Sequence, residues 1–339
     1  MRTLNYSILG LVSFCVTAFA LHSLLPLPQV AGVTSKLRFL AAHPGEYDTI
    51  FLGSSRVYHG VNPATFDAAM AAGGQPAHSY NLGIDGMLPP ETFYVIDQLL
   101  AAKPRGLRRI FIELEDVQIS VAPEHVRTRR ALYWHDWKRS ALIARKILEM
   151  NVAEKWKQKR NRLLRNREAL LADFLLFGQN LASTGRAFDL LGLTPSEDDL
   201  SESDYEPRGD GYAPTSVPMK PDQAARYQAW LDRELAGPQP REVDAYAEAA
   251  FRHYADLFRS LGATPIFFVT PGPRNILPSK FRSAPSETVM SFNDARQYPS
   301  LYQERARLDE GHLNARGADE FSRLLAARLL ETEHAPGKQ

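Results

Sequence analysis

The sequence predicts an α/β protein built on a parallel sheet of about five strands in three layers, carrying a helical insertion and an apolar N-terminal segment. Three observations lead there. Short β-rich apolar runs alternate with helical patterns, and three strands and two helices follow one another within about 70 residues. Most of these runs end in glycine or a Pro-Gly pair, as buried parallel strands do. The alternation stops between residues 117 and 240 and then resumes.

Size and composition allow this architecture. The 339 residues suffice for one large domain or two modest ones. Hydrophobic residues make up 44% and charged residues 23%, in the range of chains that bury a core. Forty basic and 39 acidic residues nearly cancel, which argues against a dedicated nucleic-acid binder. The single cysteine, Cys15, excludes an internal disulfide and a cysteine-based metal cage. No His falls in an H-x-H or H-E-x-x-H pattern, so neither a catalytic metal nor another cofactor is expected.

The elements follow in order. Tyr6 to Leu27 carries no Asp, Glu, Lys or Arg. At 1.5 Å per residue it is long enough for a hydrocarbon core of roughly 30 Å. A transmembrane signal anchor over 6–27 is expected, since the apolar stretch runs on past Ala20. A signal peptide cleaved after the Ala18-Phe19-Ala20 A-x-A site, or a buried helix, are the alternatives. Lipidation of Cys15 is disfavoured by bulky Phe14 before it. Either targeting reading carries the rest of the chain across a membrane, while the flanking basic residues do not decide orientation.

"VTSKLRFLAA" reads as a short helix and "TIFLG" as the first strand. "NPATFDAAMAAG" has Asn62 as N-cap, Pro63 at the first helical position and a stop at Gly73. "AHSYNLG" is the second strand, "PPETFYVIDQLLAAK" a helix and "LRRIFIELED" the third strand. From Val117 no strand is expected until about Pro240. Between Arg127 and Arg167 stand 14 Lys or Arg against 3 Asp or Glu, on a helical pattern. Such a stretch is a solvated face, or a contact for anionic lipid headgroups or an acidic polymer. A polar loop, "GLTPSEDDLSESDYEPRGDGYAPTSVPMKP", follows. "VDAYAEAAFRHYADLFRSLG" is a helix, "ATPIFFVTPGP" the fourth strand, "ETVMSFND" a short fifth strand and "NARGADEFSRLLAARLLE" a terminal amphipathic helix. The organisation is therefore a segment at 6–27 and an α/β domain at 45–339, interrupted at 117–240.

Sites in open parallel sheets form at the carboxyl ends of the strands. Gly53-Ser54-Ser55 stands there, with Arg56 beside it, as do Asn81-Leu82-Gly83, Glu113-Leu114-Glu115-Asp116 and Thr270-Pro271-Gly272. Asp309 and His312 precede the last helix at a spacing that brings a carboxylate to an imidazole Nδ1 and leaves Nε2 for a serine. A serine hydroxyl needs such a base to become a nucleophile. Gly83 can offer an N–H to an oxyanion. Arg56 opposes the dipole of the helix it opens, and either binds an anionic substrate group or pairs with a buried acid. For most of the acidic residues after strand three a solvated exit is expected.

These blocks resemble the SGNH (GDSL-type) hydrolase superfamily. Gly53-Ser54-Ser55 stands where that family has Gly-Asp-Ser, "NLG" matches its second block, and Asp309-Glu310-Gly311-His312 matches its terminal Asp-x-x-His. The resemblance covers about residues 45–116 and 243–332. It implies a three-layer, flavodoxin-like sheet, Ser55 as nucleophile, His312 as base, Asp309 as its orienter, and backbone N–H donation from Ser55 and Gly83. Ser54 and Arg56 join Gly83 as oxyanion or substrate-binding residues. Two departures stand out: "ELED" replaces the third block, Gly-x-Asn-Asp, and Ser54 replaces the aspartate. Gly-Ser-Ser with an N-terminal anchor is similar to the membrane-tethered branch of the superfamily. That implies a single-pass protein with its catalytic domain on the periplasmic side. It implies a serine esterase or O-acyltransferase acting on a cell-surface polysaccharide or other acylated envelope molecule, beside a membrane-bound O-acyltransferase, with no nucleic acid involved. The alternative is a non-catalytic polysaccharide-binding or accessory subunit that has lost activity with the third block.

Overall fold

The computed structural model describes residues 2–24, 30, 32–120, 129–149, 156–181, 209–237, 243–272, 281, 287 and 289–334. Five strands form one parallel sheet: β1 (Thr49–Gly53), β2 (Ser79–Gly83), β3 (Arg109–Glu113), β4 (Thr264–Val269) and β5 (Val289–Ser291). Their order is β2-β1-β3-β4-β5, the flavodoxin-like order expected of a doubly wound sheet. The strands are buried almost throughout, which is why they read as continuous apolar runs.

Successive side chains of a strand point to opposite faces. Ile50, Leu52, Tyr80, Leu82, Ile110 and Ile112 enter one hydrophobic layer, and Phe51 and Phe111 enter the other. The first layer is covered by α2 (Thr34–Ala42), and by two helices beyond α3 (Ser55–Tyr58) and α4 (Pro63–Ala72): α5 (Glu91–Ala101) and, later in the chain, the helix Ala245–Ser260. The second is covered by α4 and the terminal helix Ala315–His334, which pack on each other. Three layers result, as expected. Helix α4 begins at Pro63 and ends at Gly73 as its sequence signals require. Asn62 occupies the N-cap, but its side chain makes no capping bond and donates instead to Asp319 Oδ1, 2.7 Å away on the terminal helix.

Between β3 and β4 lie α6 (Arg129–Trp134), α7 (Trp137–Glu149), α8 (Trp156–Arg165), α9 (Arg167–Leu181) and α10 (Pro221–Ala236), followed by α11 (Ala245–Ser260). The terminal helix Ala315–His334 is α12. No strand occurs in the insertion among the described residues. Tyr133, Trp134, Ile143 and Ile147 share the first hydrophobic layer, so the inserted helices are packed into the core face. Of the expected polar loop, residues 192–221, the part 192–208 lies outside the described residues.

The apolar N-terminus forms α1 (Arg2–Leu24). Among the described residues no helix is long and apolar enough to cross a membrane. The expected span at 6–27 continues past α1 into residues 25–27, which lie outside the described residues.

Candidate functional site

The carboxyl end of β1 turns sharply at Gly53. A Cβ there would fall 2.3 Å from Val57 Cγ2 and 2.7 Å from Glu113 Cβ, so only glycine lets α3 fold back this tightly. Ser54 is the N-cap of α3, its hydroxyl accepting from the Arg56 N–H at 3.3 Å. Ser55 is then the first helical residue. Its own N–H has no acceptor within the helix, as at any helix start.

The histidine arrives from a tight loop before α12. Arg307 and Leu313 pair as an antiparallel bridge, and the Leu308 N–H donates to His312 O at 3.0 Å. Within that loop Asp309 Oδ1 accepts from Gly311 N–H (2.7 Å) and His312 N–H (2.8 Å). The Asp309 carboxylate also meets His312 Nδ1 at 2.8 and 3.0 Å. A carboxylate only accepts, so Nδ1 carries the proton and Nε2 presents its lone pair. Ser55 Oγ lies 2.8 Å from that Nε2. Burial by itself would raise the Asp309 pKa. The bonds from His312 and from the Gly311 and His312 backbone outweigh it, and the carboxyl stays below its ordinary value. Asp309, His312 and Ser55 are thus brought into one hydrogen-bonded chain across 257 residues of sequence.

The other expected site residues are placed differently. Gly83 does not offer a free N–H: that group donates to Asn81 Oδ1 at 2.8 Å. A Cβ on Gly83 would fall 2.3 Å from the Tyr58 backbone nitrogen, so its glycine character serves the close approach of α3 to β2. Asn81 is fully buried, and its Nδ2 donates to Val57 O (2.8 Å) and Val61 O (2.7 Å), tying α3 and the following turn to β2.

Ser54 and Arg56 are likewise absorbed by structure. The Ser54 N–H donates to Glu113 Oε2 at 2.7 Å. Arg56 Nε lies 3.0 Å from Glu113 Oε1, and its Nη2 bonds Glu115 Oε1. Arg56 therefore takes the buried-pair role rather than facing a substrate anion. Glu113 and Glu115 are 2% and 4% exposed, so the solvated exit expected for these acids is replaced by a buried ionic cluster. The carboxylates are needed there because Arg56 would otherwise be a lone charge out of water. Burial alone would raise the Glu113 pKa. The Arg56 charge, with hydrogen bonds from Ser54 and Thr270, holds it below its ordinary value. An ionised Glu113 accepts and cannot donate, so the residue at the "ELED" position supplies no oxyanion hydrogen bond.

Three residues in and around the site escaped the sequence reasoning. Arg307 is fully buried. Its Nη2 donates to Glu310 O (2.6 Å), its Nε to Asp309 O (3.3 Å) and its Nη1 to Pro271 O (3.3 Å). It thereby clamps the Asp309–His312 loop to the loop after β4, between the rings of Tyr227 and Tyr302. His59 follows Ser55 by one helical turn. Its Nδ1 bonds Ala213 O at 2.8 Å, its ring centroid lies 6.2 Å from that of His312, and burial lowers its pKa. Lys36 is buried and donates to Gly83 O (2.7 Å), Gly211 O (2.8 Å) and Asn81 O (3.2 Å), joining α2 to the β2 exit. None of the three falls in a recognisable motif; only Lys36, a basic residue beside the apolar run of α2, could have drawn attention, since Arg307 stands among other charged residues in "ERARLDEG".

The described residues contain no group of three or more His, Cys, Asp or Glu side chains placed to hold a metal ion. No protein-family model, no curated protein and no solved structure matches this chain.

Proposed function

We propose that the chain is an envelope-localised serine esterase or O-acyltransferase of the SGNH type, held to a membrane through residues 6–27. One observation carries the reading: Ser55 Oγ, His312 and Asp309 form a continuous hydrogen-bonded relay with 2.8 Å at each junction. Ser55 Oγ attacks an acyl carbonyl while its proton passes to His312 Nε2. The resulting imidazolium is held by Asp309, whose depressed pKa keeps it ionised. His312 returns the proton to the leaving oxygen as the tetrahedral adduct collapses to a Ser55 ester. Water or a sugar hydroxyl, deprotonated by the same Nε2, then takes the acyl group and frees Ser55. The Ser55 N–H at the start of α3 is one donor for the oxyanion. The His312 and Asp309 side chains are 28% and 36% exposed, which suits an acceptor hydroxyl on a large polymer.

The spent N–H of Gly83 and the acceptor-only Glu113 favour a second reading, in which the same fold binds a polysaccharide or serves a membrane-bound O-acyltransferase without chemistry of its own. A fluorophosphonate probe separates the two. Labelling of the full chain that disappears in Ser55→Ala and in His312→Ala supports the enzyme. An unlabelled wild-type chain, together with intact cellular function of Ser55→Ala, supports the accessory subunit.

A further inference from the structure

The inserted helices present a surface that the relay does not use. On α9, Leu171, Phe174 and Leu175 are 58%, 67% and 53% exposed. They sit at i, i+3 and i+4 and share one face. The opposite face of the same helix carries the buried Asp173, Leu176 and Asn180. One side of α9 thus faces the protein, and the other has aromatic and aliphatic groups in the open. Exposed apolar patches of this kind mark contact surfaces.

Two further features say what covers it. The apolar helix α1 packs against α9, and Ile8, Leu9 and other aliphatic residues of α1 are themselves exposed. The preceding helix, α8, is strongly basic: its sequence, "WKQKRNRLLR", has no acidic residue, and Lys157, Arg160 and Arg165 are exposed. Trp156, 73% exposed, opens it. An apolar strip flanked by cations and an aromatic is the composition of a helix lying in the boundary between lipid headgroups and acyl chains. The positive charge selects for anionic headgroups.

We propose that α8 and α9 form a second membrane contact, docking onto anionic lipid beside α1 with Leu171, Phe174 and Leu175 in the acyl boundary. This rests on the reading of residues 6–27 as a membrane anchor. It adds that the domain is held against the bilayer at two places, rather than hanging from a tether, so the Ser55 site keeps one height and orientation over the membrane surface.

The full chain reconstituted into vesicles carrying dibrominated phosphatidylcholine tests the docking, with and without 30% phosphatidylglycerol. The contribution of Trp156 is the difference between wild type and Trp156→Phe. The expected result is quenching of that contribution, at least twofold stronger with phosphatidylglycerol. The triple substitution Leu171→Glu/Phe174→Glu/Leu175→Glu should abolish it while leaving far-UV circular dichroism and vesicle flotation unchanged. Trp156 unquenched in a chain that floats would overturn the docking and leave the anchor standing, pointing to a protein or polymer partner for this face. Quenching indifferent to both phosphatidylglycerol and the triple substitution would overturn it as well. A chain that floats with neither vesicle would overturn docking and anchor together, and fluorophosphonate labelling would still report on the Ser55 relay.

Discussion

Glu113 ties three strand ends together, and its replacement gives the sharpest test of the site's construction. Its carboxylate accepts from Ser54 N–H at 2.7 Å and Thr270 Oγ1 at 2.7 Å, and meets Arg56 Nε at 3.0 Å. Glu113→Ala leaves two buried donors unsatisfied, each costing about 1–3 kcal/mol. It also strips Arg56 of one of its two carboxylates. Removal of a buried ionic partner costs about 3–5 kcal/mol when nothing replaces it. Glu115 stays paired with Arg56, so the expected loss for Glu113→Ala is about 4 kcal/mol, short of the full sum. Glu113→Gln keeps the volume and one acceptor oxygen but turns an NH₂ towards donors, and about 2–3 kcal/mol is expected. Urea unfolding at pH 7 measures both through the shift in midpoint at constant slope. The pH dependence supplies a second reading. The folded pKa of Glu113 lies below its ordinary 4.5. Its stabilisation is therefore present above pH 4.5 and is lost as pH falls through the depressed folded value. The gap between wild type and Glu113→Gln should narrow on acidification below 4.5. A loss under about 1 kcal/mol at pH 7, or a gap that does not change with pH, would refute the buried-cluster account.

Other expectations concern the relay and the insertion. Asp309→Asn should leave folding intact and lower acyl transfer or probe labelling by about 10⁴-fold, because the amide no longer fixes Nδ1 as the protonated nitrogen; second-order labelling rates measure it. Arg307→Met keeps the bulk between Tyr227 and Tyr302 but removes the donors to three carbonyls. It should cost about 3 kcal/mol in urea unfolding, with labelling of Ser55 slowed as the 309–312 loop loosens. Asp173 is buried beside His135, and burial pushes its pKa from 3.8 up to about 6. A raised carboxyl pKa means stability is full below 3.8 and declines as pH rises through about 6. Asp173→Asn should therefore raise stability at pH 7, by at most about 3 kcal/mol, and have little effect near pH 4.

Much of this molecule was legible in its sequence. The runs "TIFLG" and "SYNLG" became β1 and β2, and the apolar centre of "RIFIE" became that of β3, because a parallel strand buried on both faces is apolar or uncharged along most of its length. The glycine after each of the first two could be read as a close approach, and Pro63 and Gly73 bounded α4 as local chain stereochemistry demands. Asp309 and His312 were recognisable as a pair because their contact is local: three residues of loop suffice to bring them together.

What tertiary structure alone decided were the partners of groups whose neighbours are remote in sequence. Whether Ser55 meets His312 depends on β1 and the loop before α12 lying at the same end of the sheet. Arg56 could have faced a ligand, but Glu113 at the end of β3 and Glu115 just after it, two crossovers away in the chain, pair with it. Asn81 takes the N–H of Gly83 with its Oδ1, while its Nδ2 is held by the remote carbonyls of Val57 and Val61. Periodicity reports which residues are buried. It carries no record of which buried donor finds which acceptor, because a hydrogen bond is satisfied by whatever the fold places within about 3 Å. The sequence by itself determined the strands, their glycine exits and the local Asp309–His312 pairing; the three-dimensional packing determined that Ser55 meets His312 and that the Gly83 N–H, the Ser54 N–H and the Arg56 guanidinium are taken up by Asn81, Glu113 and Glu115.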